Sequence, residues 1–333
     1  MNKEKAKSRR KMPTHAIVFL VLFGLFFAIC VAALISIAMN GRITVSRYTV
    51  GHMGASELGG SEESAQSDAG EDETGVRIVL ISDLHRRKFD ETNQQLVDRV
   101  SEQSPDLICV DGDMLEKSCT AEEVEDFASL LERLQQIAQV YCAYGNHDYE
   151  AYSKPVPHGD VGDIWDMDES MLNVLTVRQR LEQTGAIFLE EEYRDIVVNG
   201  IDIRIAGMYG YAFLGDDESV NEARKRLTFL AEYCDTDSYK ILMCHRPDSF
   251  IFNSAADDWE IDLVMSGHTH NGVINIPFVG AIITHDQGLF PKYSKGKFDI
   301  GNITLVITGG LDGSSNVPRV FNPPEISVID ITE

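Results

Sequence analysis

The chain has 333 residues, 44% of them hydrophobic and 25% charged, so it carries enough apolar material for a substantial core and is neither disordered nor of low complexity. Its 29 Lys and Arg stand against 53 Asp and Glu, a net charge of −24. That sign opposes binding to a phosphate backbone by counterion release, so no nucleic-acid partner is expected.

Residues 1–15 form a basic head in which Lys3, Lys5, Lys7, Arg9, Arg10 and Lys11 face the single acid Glu4. From 16 to 39 runs an uncharged apolar stretch of 24 residues, interrupted only by Gly24 and Ser36. As a helix rising about 1.5 Å per residue it reaches roughly 36 Å, which crosses a ~30 Å hydrocarbon core with some tilt. Signal-peptide apolar regions span about 7–15 residues. The run therefore reads as an uncleaved transmembrane anchor, although Ser36-Ile37-Ala38 has the small residues of a cleavage site. Arg9-Arg10 belongs to a general basic cluster and is not read as a twin-arginine signal. With cations before the run and net acidity after it, the N-terminus is expected in the cytoplasm and the remainder outside the cell membrane. Residues 40–75 are expected to be a flexible acidic linker, because 51–75 is rich in Gly, Ser and Glu with almost no large apolar side chain. One folded domain, 76–333, remains.

Within it, short apolar runs at 76–82, 107–110, 140–143, 241–244 and 263–266 read as buried strands. Thr120 and Glu123 form a capping box ahead of Val124, Phe127, Leu131 and Leu134 at helical spacing. After Asp148, a stretch to about residue 168 is longer than a simple connection, and reads as a lid or a solvated loop. Asn199-Gly200 predicts a hairpin, Gly301-Asn302 a second, and a further helix is expected within 218–234. The early strand–helix alternation and the strand-rich later part predict mixed sheets flanked by helices. The six cysteines show no CxxC pair, and Cys109, Cys142 and Cys244 lie in strand-like runs, so buried free thiols are expected.

Polar groups suited to hard or borderline cations come directly after five of the predicted strands: Asp83 and His85, Asp113, Asn146 to Asp148, His245, and His268 with His270. Each alone has a bland explanation as a cap, a turn residue or a satisfied loop histidine. Together they would leave costly polar groups at a core edge without a common partner, which a bound cation supplies. Asp83, His85, Asp113, Asn146, His245, His268 and His270 are seven ligand groups without sulfur, too many for one tetrahedral ion, so two divalent cations are expected, with manganese, iron and zinc all suited. Two such ions about 3.5–4 Å apart hold a hydroxide for in-line attack at phosphorus. Arg86 and Arg246 adjoin these ligands and are candidate contacts for substrate phosphate. Asp111, the extra acid before Gly112, reads as a turn residue, or alternatively as a partner behind the ligands.

The ordered set Asp83-Leu84-His85, Gly112-Asp113-Met114, Gly145-Asn146-His147-Asp148, a lone His245 after a strand, and Gly267-His268-Thr269-His270 resembles the calcineurin-like metallophosphoesterase superfamily over essentially all of 76–333. The stretches Phe290-Pro291-Lys292-Tyr293 and Pro318-Arg319 through Asn322-Pro323-Pro324-Glu325 make it similar to the bacterial membrane-anchored phosphodiesterase branch. The resemblance implies a four-layer α-β-β-α sandwich of two mixed sheets. It implies one metal on Asp83, His85, Asp113 and His270, and a second on Asp113, Asn146, His245 and His268, with Asp113 bridging. It also implies that His147 stabilises the transition state or protonates the leaving oxygen, oriented by Asp148. The substrate would be a phosphate ester, a diester foremost, and a lipid- or envelope-linked one is in reach of a membrane-held site. A phosphomonoesterase or protein phosphatase of the same fold, and a metal-binding scaffold without turnover, are the alternatives.

Overall fold

The computed structural model describes residues 13–51, 75–156, 175–210, 220–252, 255–312 and 317–332. The apolar run forms α1 (Thr14–Ala38), long and apolar enough to cross a bilayer and with its apolar window unburied by the rest of the chain. A helix that is hydrophobic on every side and lies outside the core has the character of a membrane span or a signal sequence.

The segment expected to be a flexible linker is in part a strand. Thr44–Gly51 form β1, paired in parallel along its whole length with the C-terminal strand, from Thr44 opposite Glu325 to Gly51 opposite Thr332. Its residues, Thr-Val-Ser-Arg-Tyr-Thr-Val, are the β-branched and aromatic types that fit a half-buried pleated edge. The Gly, Ser and Glu of residues 52–74 dominate the composition of 40–75 and mask this short run. Residues 52–74 themselves lie outside the described residues.

The first half of the domain then alternates β2 (Val76–Ile81), α2 (Gln94–Ser101), β3 (Leu107–Asp111), α3 (Ala121–Gln135), β4 (Gln139–Ala143), α4 (Tyr149–Tyr152), α5 (Val177–Glu182) and β5 (Ile187–Phe188). The second half runs β6 (Glu192–Val198), β7 (Ile201–Met208), α6 (Val220–Cys234), β8 (Tyr239–Cys244), α7 (Asp248–Ile251), α8 (Ala255–Asp258) and β9 (Leu263–Ser266). Two small hairpins come next, β10 (Asn275–Ile276) with β11 (Gly280–Ala281) and β12 (Ile283–Thr284) with β13 (Gly288–Leu289). The chain ends through β14 (Gly296–Ile300), β15 (Ile303–Ile307) and β16 (Glu325–Thr332). The capping box at α3 is present, with the Glu123 amide donating to Thr120 Oγ1 at 3.2 Å and the Thr120 amide donating to the Glu123 carboxylate at 2.8 Å. Both expected hairpins close where predicted, β6 on β7 and β14 on β15. Of the stretch from 149 to about 168 read as a lid or loop, the start forms α4 and residues 157–168 lie outside the described residues.

Two six-stranded mixed sheets result, in the orders β1-β16-β2-β3-β4-β5 and β14-β15-β9-β8-β7-β6. Period-two alternation divides each central strand between two cores. Ile78, Leu80, Leu107, Cys109, Ile241, Met243, Leu263 and Met265 meet between the sheets. Val79, Ile81, Ile108, Val110 and Val140 face α2, α3 and α5, while Leu242, Cys244, Val264 and Leu305 face Phe229, Leu230 and Tyr233 of α6. This is the expected α-β-β-α sandwich. Because both faces of the strands are covered, they read in sequence as unbroken apolar runs. Cys109, Cys142 and Cys244 are buried and unpaired, as expected.

Candidate metal centre

All five motif loops leave the C-terminal ends of parallel strands, β2, β3, β4, β8 and β9, so the topology delivers them to one edge of the sandwich. The loops are laced together through the backbone. The Asp83 amide donates to Gly112 O at 3.1 Å, the His85 amide to Asp113 O at 3.0 Å and the Gly267 amide to His245 O at 3.1 Å. Two glycines make the close approach possible. A Cβ on Gly145 would collide with the Asp113 backbone nitrogen and carboxylate, and one on Gly267 would collide with Ser82 Oγ. Asp83, His85, Asp113, His268 and His270 all hold φ between 49° and 66°, a left-handed conformation that costs a non-glycine residue about 1 kcal/mol or more. Five such residues in one cluster mark a place where side-chain direction outweighs backbone comfort.

The side chains converge in two groups. Ligand atoms of Asp83, His85 and His270 lie within 4.8 Å of one another, as do those of Asp113, His245 and His268. The groups touch, since His245 Nε2 lies 3.1 Å from Asp113 Oδ2 and 3.9 Å from Asp83 Oδ1. His85 Nε2 and Asn146 Oδ1 are buried without a hydrogen-bond partner, and Asp113 Oδ2 and His245 Nε2 have only each other. Buried polar atoms left so poorly matched are expensive, and this nitrogen and oxygen donor set fits hard or borderline divalent cations. Burial alone would raise the Asp113 pKa, but His245 and His85 beside it hold the carboxyl well below the ordinary carboxylate range. The same carboxylates raise His245 well above a normal histidine against the opposing effect of burial.

Each histidine in the two groups has one ring nitrogen fixed from behind, which turns the other toward the shared space. His245 Nδ1 donates to Asp111 O at 2.6 Å and His270 Nδ1 to Asp312 O at 2.9 Å. His85 Nδ1 meets Glu116 Oε1 at 3.0 Å, and His268 Nε2 meets Asp286 Oδ2 at 2.7 Å. The other Glu116 oxygen lies 2.7 Å from His147 Nδ1, so one carboxylate braces both His85 and His147. Hydrogen bonds from His85 and His147 hold the Glu116 carboxyl down to about 2.

The expectation that Asp148 orients His147 is corrected by the structure. Asp148 is fully buried, and its carboxylate accepts from the Gly145 amide at 2.7 Å, the Met114 amide at 2.9 Å and the Tyr152 hydroxyl at 2.9 Å. Consecutive side chains diverge at the start of α4, so His147 points outward, its side chain 40% exposed, while Asp148 turns into the core. Burial pushes the Asp148 carboxyl up to about 7. Its place is in holding the β3 and β4 loops together.

Both arginines already have partners within the chain. Arg86 is held by Glu123 at 3.0 Å and by the Ser118 carbonyl and hydroxyl. Arg246 is clamped between Asp248 at 2.9 Å and Asp286 at 3.2 Å, so its charge is already matched by two carboxylates. Asp111 serves through its backbone oxygen, which accepts from His245 and from Ser82 Oγ. Its own carboxyl is buried without a partner and pushed up to about 8 by that burial. The buried Arg319 of the C-terminal stretch donates to Gly309 O and Asn322 O, and Asn322 Nδ2 donates to His270 O at 2.8 Å, which fastens the last ligand loop. Glu116 and Asp286 escape a reading of the sequence alone. Glu116 stands three residues after Asp113, a spacing that carries some signal, whereas Asp286 sits in a hairpin turn with no motif around it.

Residues 76–272 match the family profile described as calcineurin-like phosphoesterase. An uncharacterized metallophosphoesterase of Bacillus subtilis, YkuE, is 27% identical over 317 residues, covering 93% of this chain and 96% of its own length. A UDP-2,3-diacylglucosamine pyrophosphatase of Chlamydia muridarum, LpxG, is 26% identical over 280 residues, covering 77% of this chain and 83% of its own. The solved structure of a dimetal phosphatase from Danio rerio covers 72% of this chain and 88% of its own at 10% identity and a TM-score of 0.40.

Proposed function

Because the chain belongs to the calcineurin-like phosphoesterase family and is a metallophosphoesterase, a phosphoric ester hydrolase, we propose that it cleaves phosphodiesters at a two-cation centre held outside the cell membrane by α1. In this reading Asp83, His85, Asp113 and His270 hold one divalent cation, and Asp113, Asn146, His245 and His268 the other. The observation that carries it is the convergence of Asp83, His85 and His270, and of Asp113, His245 and His268, each set with its ligand atoms within 4.8 Å of one another. Two cations there would supply an activated water and neutralise charge on the phosphoryl oxygens.

The chain's own residues do the rest. Glu116, ionised at working pH, holds the His147 ring with its free nitrogen outward. From there His147 stabilises the charged transition state or delivers a proton to the leaving oxygen. Outer partners fix the ligand histidines before substrate arrives, so little reorganisation accompanies the reaction. The LpxG relative is named for a diacylated sugar nucleotide, which favours amphiphilic phosphate esters as the substrate class for a membrane-anchored centre. The test is hydrolysis of a panel of chromogenic mono- and diesters by the full chain loaded separately with manganese, zinc and iron. A diester preference abolished by His147→Ala supports the reading. A monoester preference would assign a phosphomonoesterase, and a metal-loaded but inert chain would assign a scaffold.

A further inference from the structure

Among the described residues outside α1, twelve large hydrophobics are exposed, and six of them fall between 276 and 290: Ile276, Phe278, Val279, Ile283, Leu289 and Phe290. Phe278 is wholly exposed at the tip of the β10–β11 hairpin. The two hairpins are not independent, since the Ile282 amide donates to Ile274 O at 3.1 Å and the Phe290 amide to Ile282 O at 2.7 Å. They form one small apron with an apolar outer surface. A clustered apolar patch on an otherwise strongly acidic protein marks an interaction site. Exposed Lys292, packed over Tyr293, stands beside Phe290, a cation placed where an apolar surface meets charged head groups.

The apron has fixed neighbours on two sides. On one, the Asn275 amide donates to Val320 O at 2.9 Å, and the next residue, Phe321, donates its amide to Ser36 Oγ in the last turns of α1 at 2.6 Å. Asn40 Nδ2 donates to Arg319 O at 2.9 Å, and the Thr44 amide to Pro324 O at 2.8 Å, so the end of α1 is tied to the loop that carries the apron. At about 3.3 Å per residue, Phe278 lies within roughly 10 Å of Asn275 along the strand. On the other side, the turn joining β12 to β13 carries Asp286, whose carboxylate reaches His268 Nε2 and Arg246. Leu289 is three residues from Asp286, again within roughly 10 Å.

We propose that the β10–β13 apron is a seat on the bilayer that receives α1, its apolar residues entering the interfacial layer so that a phosphate ester carried by a lipid meets the metal centre from the membrane side. Continuity identifies the occupant: the surface that must meet lipid on α1 and the apolar outer surface of the apron are joined through three residues, Asn275, Val320 and Phe321. Insertion of a few apolar side chains beside an anchor is favourable and fixes the tilt of the body. It also gives a substrate with a lipid tail a path to His268 that does not require leaving the bilayer. The proposal rests on the membrane-anchored phosphodiesterase reading above.

The experiment uses the full chain reconstituted in vesicles of phosphatidylethanolamine and phosphatidylglycerol. In Phe278→Trp, the fluorescence added over the unmodified chain should shift to shorter wavelength and be quenched by lipids bearing a nitroxide near the head group. Added emission at the wavelength of water-exposed indole, quenched by aqueous iodide alone, would overturn the proposal. So would a blue-shifted emission insensitive to lipid quencher but dependent on protein density, which would place a second copy of the chain on the apron. In parallel, Phe278→Ser with Phe290→Ser should lower turnover of a vesicle-borne phosphodiester roughly tenfold while sparing a water-soluble one. Equal turnover of both esters by this variant and the unmodified chain would refute lipid delivery. Failure of the unmodified chain to cleave either ester would instead count against the functional reading, and the fluorescence result stands apart from it.

Discussion

Replacing Glu116 by Gln isolates the brace behind two histidines without changing its volume. The carboxylate receives His85 at 3.0 Å and His147 at 2.7 Å, and hydrogen bonds to a charged group contribute about 1.5–3 kcal/mol each. An amide offers one acceptor oxygen, so one imidazole keeps a partner and the other faces a second donor. Losing one such bond at the transition state corresponds to roughly a 10- to 150-fold fall in kcat. The assay is hydrolysis of a chromogenic phosphodiester at saturating manganese, with bound metal counted in the same samples. If the loss falls on His147, metal content stays near that of the unmodified chain while kcat drops. If it falls on His85, metal content drops too. Repeating the substitution in a His147→Ala background separates the two, because a brace acting through His147 has nothing left to orient there. A Glu116→Gln chain within twofold of the unmodified one in both kcat and metal content would refute the reasoning.

Three further outcomes are expected. Asp113→Ala, which removes the carboxylate at the contact between the two ligand groups, should reduce bound metal below one ion per chain by elemental analysis, against two for the unmodified chain; two ions retained would contradict the shared carboxylate. Asp148→Ala leaves the Gly145 and Met114 amides and the Tyr152 hydroxyl without their acceptor, at about 1 kcal/mol or more each, so the melting temperature should fall by roughly 5–10 °C. An unchanged melting curve with lost activity would restore Asp148 to the reaction. Burial pushes the Glu190 carboxyl up to about 8, so the folded chain holds a proton there that the unfolded chain releases above about 4.5. Stability should therefore decline as pH rises through that window, and Glu190→Gln should flatten the decline by on the order of a few kcal/mol in chemical denaturation from pH 5 to 9.

The central strands are legible because β2, β3, β8 and β9 are covered on both faces and carry their burial in their composition. The capping box of α3 and the Asn199-Gly200 turn are local devices, complete within a few residues, and they too appear where the sequence places them. β1 is concealed because its half-exposed alternation is meaningful only once β16 lies beside it, about 280 residues later. The ligand groups can be read as a set because each stands just past a strand end. Their braces cannot: Glu116 acts across 31 residues, Asp312 across 42, and Asp286 belongs to a turn whose sequence says nothing of His268. Adjacency misleads at Asp148, where proximity in the chain to His147 stands in for direction in space.

The pairing of β1 with β16 changes what holds the domain to α1. Only residues 39–43 separate α1 from β1, and the eight-residue ladder joins β1 to the sheet without any covalent help from the 52–74 segment. A protease that nicks that segment would leave two polypeptides still zipped together, so freeing the domain from α1 would require either a cut before Thr44 or the peeling of an entire sheet edge.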